Sequence, residues 1–232
     1  MRRLYLHVGT HKTGTTSLQA YLRDHRDTLQ AQGLTVLTEV HKKQGEIAVC
    51  LGFAHGILRD GLQTVARMTG AMPKAGSMRA FLYRAEIRRQ LKALPRDGRA
   101  VLSAEALCFA REPEEAARLR KVFAKLDLEI VPVICFRNEA DWRASWENEL
   151  QRFAAQMTEP FGTGTNDIRG DWYFDPAAIM SFREAFGPVR RIDFDAAVAR
   201  DGTVLPALLD ALDVTAQGDL ADYRLRQSNP PA

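Results

Sequence analysis

The chain has 232 residues, 46% of them hydrophobic and 26% charged. That is enough apolar side chain for one substantial core, and residues 1–232 are expected to form a single domain. Its formal charge of +3, from 32 basic and 29 acidic residues, is spread along the chain, which argues against a nucleic-acid partner but permits a local basic pocket for a small polyanion.

Cys50, Cys108 and Cys135 are odd in number, far apart and set among apolar neighbours. The spacing supports neither a disulfide framework nor a zinc site, and buried free thiols are expected. The apolar stretch after Arg2 and Arg3 stops at Gly9, too short for a signal peptide, and no apolar run approaches the ~20 residues of a membrane helix. The expectation is a cytoplasmic protein with no membrane span.

Leu4 to Val8 reads as a buried strand that ends in a Gly/Thr-rich turn, after which Leu18, Tyr21 and Leu22 fall at helical spacing. Helical patterns fill Ser77 to Leu94, Pro113 to Leu126 and Asn138 to Phe153, with strand candidates at Val101-Leu102 and at Ile130 to Phe136, the latter containing Pro132. An amphipathic segment from Asp175 to Phe186 ends at Gly187-Pro188, followed by a strand from Val189 to Phe194 and a helix from Val204 to Leu212. Alternating strands and helices predict an α/β fold with a central parallel β-sheet flanked by helices. The polar stretch from Thr158 to Gly170 reads as a surface loop, and the tail after Tyr223 as partly ordered.

The turn Gly9-Thr10-His11-Lys12-Thr13-Gly14-Thr15-Thr16-Ser17 carries the strongest chemical signal. Its glycines permit a tight backbone, and the helix that follows aims free N–H groups and its positive dipole end into the turn, which makes an anion site. Thr13, Thr15, Thr16 and Ser17 can add hydroxyl donors, and Lys12 a full charge. The Gly9 to Gly14 spacing matches a nucleotide-binding P-loop, but the position after Gly14 is Thr15 where a kinase or ATPase has its lysine. A lysine placed inside the loop suits a nucleotide whose 5′ end carries phosphate and sulfate and which needs no metal.

At this point the sequence resembles the sulfotransferases that use 3′-phosphoadenosine 5′-phosphosulfate (PAPS). Their 5′-phosphosulfate loop reads His-Lys-Thr-Gly-Thr-Thr-Ser-Leu-Gln in many bacterial members, and His11 to Gln19 spell that form without a mismatch. The resemblance implies a P-loop nucleotide-kinase-like fold over most of the chain, with PAPS as co-substrate and no metal. It also implies that an arginine at a strand end and a serine eight residues later grip the 3′-phosphate. Arg137, directly after the strand at Ile130 to Phe136, and Ser145 match that pattern. Eight residues of helix span at most about 12 Å, within reach of a guanidinium sharing one phosphate with the hydroxyl. In related enzymes the loop lysine contacts the oxygen that bridges phosphate and sulfate, which assigns Lys12.

Sulfuryl transfer also needs a base for the acceptor's proton. Glu105 is the candidate, because Val101-Leu102-Ser103-Ala104-Glu105 delivers a Ser-x-Glu to the C-terminal end of a strand, where α/β sheets place their ligands. Many bacterial relatives carry a similar Ser-Ser-Glu; here Ala104 replaces the middle serine. Histidine is the base in other relatives, which leaves His7, His11, His41 and His55 as rivals, His7 reading better as a packed strand residue and His11 equally as a conformational one. Trp142 and Trp146 continue to Leu150 and Phe153 at helical spacing and read as core in preference to an adenine platform. Arg224, Arg226 and Ser228 form a loose basic segment of the kind that closes over the nucleotide in several relatives.

The sequence therefore reads as a sulfotransferase with Lys12 and Glu105 as catalytic groups, Lys12, Thr13, Gly14, Thr15, Thr16, Ser17, Arg137 and Ser145 as cofactor-binding groups, and a small-molecule or carbohydrate acceptor. The acceptor pocket is expected between residues 40 and 98. Two alternatives stay open: a nucleotide or small-molecule kinase with an irregular P-loop, and a non-catalytic nucleotide-binding protein.

Overall fold

The structure, a computed structural model, describes residues 1–37, 47–70, 72–154 and 167–223. The first strand, β1 (Arg2–His7), leads through the Gly/Thr turn into α1 (Thr15–Asp24) and α2 (Arg26–Ala31), which carry the chain to β2 (Leu34–Val36). Three helices, α3 (Ile47–Ile57), α4 (Val65–Thr69) and α5 (Met78–Ala93), precede β3 (Arg99–Ser103), and α6 (Pro113–Phe123) joins it to β4 (Leu128–Phe136). After α7 (Glu139–Ala154) and α8 (Pro176–Glu184) come β5 (Arg190–Asp193), α9 (Phe194–Asp201) and α10 (Leu205–Asp210). The strands form one parallel sheet in the order β2-β3-β1-β4-β5.

Parallel neighbours need long crossovers, and these put helices on both faces. The central strand shows why the sequence demands this. Leu4, Leu6 and Val8 enter one core with residues of α3, α5, α6, α7 and α8, whereas Tyr5, between them, enters a second core with Leu18, Tyr21 and Leu22 of α1 and Leu205, Leu208 and Leu209 of α10. Apolar residues on both sides of a strand leave it no solvent face. After β2 and β3 fill one side of β1, the chain crosses over β1 to β4, so the sheet changes winding direction beside β1. Ligands of open α/β sheets sit beyond the strand ends at such a reversal.

The expected strands at Leu4 to Val8, Val101-Leu102, Ile130 to Phe136 and Val189 to Phe194 are all present, as are the helices expected around residues 77–94, 113–126, 138–153, 175–186 and 204–212. Sequence periodicity gave no signal for β2, which is three residues long, or for α3, whose sequence IAVCLGFAHGI has no polar stripe to betray a helical period. Pro132 is tolerated inside a central strand because of where its nitrogen points. Val8 donates to the Val133 carbonyl across the β1–β4 ladder, so residue 132 faces the other way, toward β5. Pairing with β5 begins only at Val133 opposite Arg190, and no ladder donor is lost.

The turn after β1 is tied down from several directions. Thr10 Oγ1 donates to the Cys135 carbonyl at 2.9 Å, and the Thr13 hydroxyl donates back to the Thr10 carbonyl. Gly14 caps α1 in the left-handed region, with φ 84° and no side-chain cap. A Cβ at Gly14 would meet Val204 Cγ1 at 2.4 Å, so α10 is seated against the bare backbone of the loop. Gly14→Ala is therefore expected to combine left-handed backbone strain with a steric clash. The loss of stability should be about 2 kcal/mol or more, read as a lowered midpoint in urea unfolding.

Candidate active site

A cleft of about 340 Å³ opens at the C-terminal end of the sheet, lined by His11, Lys12 and Gly14 to Ser17 from the turn, by Glu105 after β3, and by Arg137 and Ser145 after β4. Three segments that are distant in sequence therefore meet at one site. Each arrives for a local reason. The Ala104 N–H donates to the His7 carbonyl at 2.9 Å, which holds the end of β3 beside β1 and sets Glu105 at the start of a short 3₁₀ helix, Glu105–Phe109. Arg137 leaves the end of β4, and Ser145 lies on the buried face of α7.

The first turn of α1 has no acidic side chain and no side-chain cap. Its free N–H groups and positive end thus face the cleft unopposed, the physical requirement for an anion site. Lys12 has φ 68°, a left-handed backbone that costs of order 1–3 kcal/mol in a residue with a Cβ and collects at functional loops. Its Nζ lies 3.3 Å from Glu149 Oε2, and the same oxygen takes Arg152 at 2.7 Å. Arg137 stacks over Phe194 with its guanidinium carbon 5.2 Å from the ring centre. Its Nε is buried without a hydrogen-bond partner among the described residues, so that side of the guanidinium is available to an anion.

Thr13 is the one predicted cofactor-binding residue that does not line the cleft: its hydroxyl is turned into the loop and occupied by Thr10. Thr15, Thr16 and Ser17 do line it. Trp142 is core, as expected. Trp146 is buried yet also forms part of the cleft wall, with its Nε1 donating to the Ile168 carbonyl at 2.9 Å. Glu149, Phe194, Val198 and the segment Gly202 to Val204 complete the lining; sequence reasoning missed all of them. Glu149 carried a legible signal, one helical turn beyond Ser145, whereas α9 and α10 are brought in only by the return of β5 alongside β4. Among the described residues, none that lines the cleft comes from 40–98, where the acceptor pocket was expected. His41, residues 158–166, Arg224, Arg226 and Ser228 lie outside the described residues.

His11 sits in an aromatic box, 4.4 Å from Trp146, 4.8 Å from Phe109 and 5.9 Å from Tyr173 between ring centres. Its backbone N–H donates to the Tyr173 hydroxyl at 3.3 Å, and that hydroxyl lies 2.6 Å from His11 Nδ1. Cys108 Sγ lies 3.4 Å from the same nitrogen, so Nδ1 is held from two sides. Desolvation, then the charge of Lys12, lowers the His11 pKa to about 3, while burial pushes the Tyr173 phenol well above its ordinary range and the Cys108 thiol up to about 12. The knot of His11, Tyr173 and Cys108 is neutral throughout the physiological range. His7 is wholly buried beneath the loop, its Nδ1 2.9 Å from Ser103 Oγ, which is a packed strand position and not that of a base.

No protein-family model matches the chain, and no curated protein matches its sequence. Solved structures do. With 97% of this chain covering 86% of the other, it aligns with a sulfotransferase from Alicyclobacillus acidocaldarius at TM-score 0.51 and 18% identity. The chain has the fold of that sulfotransferase. A sulfotransferase domain from the curacin biosynthetic pathway aligns at TM-score 0.48 and 14% identity, over 97% of this chain and 78% of that one.

Three histidines of this sulfotransferase-like fold are held neutral by burial: His7 and His55 have their pKa lowered to about 4 and His11 to about 3. A lowered histidine pKa means that the unfolded chain binds a proton below pH 6.5 that the folded chain refuses until about pH 4. Stability should therefore fall as pH drops from 6.5 toward 4, by on the order of 1 kcal/mol per pH unit for each histidine. Urea unfolding at pH 7, 6 and 5 measures the slope, and His55→Gln should reduce it.

Proposed function

We propose that this chain is a PAPS-dependent sulfotransferase, transferring the sulfuryl group to a hydroxyl or amine of a small-molecule or carbohydrate acceptor. One observation carries the reading: the loop from His11 to Ser17, which resembles the 5′-phosphosulfate loop, lines the same cleft as Glu105, Arg137 and Ser145. The likeness of fold to a solved sulfotransferase supports it. So does the unpartnered Nε of Arg137, which fits a phosphate at that end of the cleft.

In such a transfer a bond forms between the acceptor atom and sulfur while the bond from sulfur to the bridging oxygen breaks, and the leaving phosphate keeps the electron pair. Negative charge then grows on the leaving group. Lys12 and the first N–H groups of α1 are placed to neutralise it, fixed in advance by the left-handed backbone of the loop. Lys12 would exchange its Glu149 partner for the phosphosulfate oxygens, and Glu149 would keep Arg152. Glu105 takes the acceptor's proton. His11, with its pKa lowered to about 3, stays uncharged and is a poor base, which leaves that role to Glu105. Arg137 and Ser145 hold the 3′-phosphate.

Calorimetric titration with 3′,5′-adenosine bisphosphate, set against ATP with Mg²⁺, tests the site without knowledge of the acceptor. Micromolar or tighter binding of the bisphosphate and much weaker binding of ATP are expected; a preference for ATP with Mg²⁺ would turn the reading to a kinase. Arg137→Ala should weaken bisphosphate binding by about 10- to 100-fold, the range for losing a charge-assisted bond. Lys12→Ala should lower turnover by about 100-fold or more with folding intact, because alanine keeps a Cβ on the same left-handed backbone and Glu149 retains Arg152 as a partner. Measurable transfer at the wild-type rate in Lys12→Ala would remove the mechanism.

A further inference from the structure

Helix α5 is apolar on two sides. Ala80, Tyr83, Ile87 and Leu91 are buried against the body of the protein. On another face Met78, Phe81, Leu82 and Ala85 follow the i, i+3, i+4, i+7 spacing of a second stripe, and here Met78 is 71% exposed and Phe81 and Leu82 56% each. With Met1, these three are the exposed large hydrophobic residues among those described. Apolar side chains gathered on one outer face mark an interaction surface in a way that scattered ones do not.

The surroundings of the stripe say what it meets. A groove of about 830 Å³ runs between α5 and α6, floored by Ala75, Phe81, Ala85 and Val122, and lined by Arg84, Arg88, Arg89, Lys92, Arg118 and Lys121. Among the described residues no carboxylate lines it. Glu86, on the same helix, lies 2.7 Å from Arg89. Three of the guanidinium groups are fixed by backbone carbonyls: Arg84 on Gly56 at 2.6 Å and on Ala75 at 2.8 Å, Arg118 on Ile57 at 2.8 Å, and Arg88 on Val122. A carbonyl holds a guanidinium in place without cancelling its charge. The groove is thus a preorganised positive field beside projecting apolar side chains.

We propose that this face of α5 and α6 docks on an anionic lipid bilayer, with Met78, Phe81 and Leu82 entering the acyl boundary and the six cations at the level of the headgroup phosphates. Apolar side chains beside Lys and Arg form the pattern by which a helix lies in a membrane interface, and a bilayer meets both requirements at once. A second copy of the chain does not, because a twofold contact would set the six cations of one groove against those of the other. The topology orients the molecule as well. Helix α5 runs into the start of β3, so its Met78 end lies toward the edge of the sheet at which the cleft opens. The inference is independent of which group the cleft transfers.

The test is flotation of the whole protein with vesicles of phosphatidylcholine alone and with about 30% phosphatidylglycerol added, a surface that carries the negative potential such a face would read. Co-flotation with the anionic vesicles only is expected, and it should decline in high salt. Each exposed lysine at the surface contributes roughly 5-fold. Lys92→Glu with Lys121→Glu should therefore weaken vesicle binding by about 30-fold or more. Phe81→Ser with Leu82→Ser should weaken it by about 10-fold, as apolar contact with the acyl boundary is lost. Neither pair is in the cleft, so bisphosphate binding should be unchanged in both, which separates loss of docking from misfolding. The proposal fails if anionic vesicles do not carry the protein, if either double variant floats like the wild type, or if polyglutamate binds while vesicles do not. It fails equally if light scattering shows a dimer that Phe81→Ser dissolves.

Discussion

The contact of Gly14 with Val204 is the constraint on which the site depends. Gly14 ends the loop in a left-handed turn so that α1 can start with its N–H groups facing the cleft, and the missing side chain lets Val204, at the head of α10, close over the same backbone. One residue therefore sets both the direction of the anion-binding dipole and one wall of the cleft. The Thr10 hydroxyl ties the loop to the Cys135 carbonyl of β4 and the Thr13 hydroxyl ties it to the Thr10 carbonyl, and the strain at Lys12 persists because these ties over-determine it.

Around that loop the charges form a poised set. Lys12 and Glu149 are paired and each largely buried, an arrangement with little net gain when the cost of desolvation is counted. A doubly anionic ligand end can displace Glu149 from Lys12 without stranding it, since Arg152 remains. The neighbouring histidine is excluded from this traffic. Its stacking on Trp146 and Phe109 and its bond with Tyr173 fix one ring orientation.

The outer face of α5 follows a different logic from the cleft. The cleft keeps its cations few, with carboxylates beside them; the groove gathers six cations with no carboxylate in its lining among the described residues and sets them by exposed apolar side chains. If both proposals hold, the two sites read different ligands, one a small polyanion by geometry, the other an extended surface by charge density and apolar contact.

Much of this was legible in the chain itself. The strand from Leu4, the turn to Ser17 and the helix after it are dictated locally, by apolar continuity, by glycines at two fixed positions and by helical spacing, so the strand-turn-helix unit could be placed before any fold was known. Arg137 and Glu105 were readable because both follow directly on apolar strands, and parallel strands deliver their C-terminal residues to a common edge. What the sequence could not settle was who shares that edge. Val204 against Gly14, Phe194 beneath Arg137 and Tyr173 on His11 are contacts between residues 57 to 190 positions apart, set by strand order and crossover, and local periodicity carries no information about either. The inward turn of the Thr13 hydroxyl and the pairing of Glu149 with Lys12 were decided by the same tertiary closure, because which of two polar groups a loop turns outward depends on what is packed behind it.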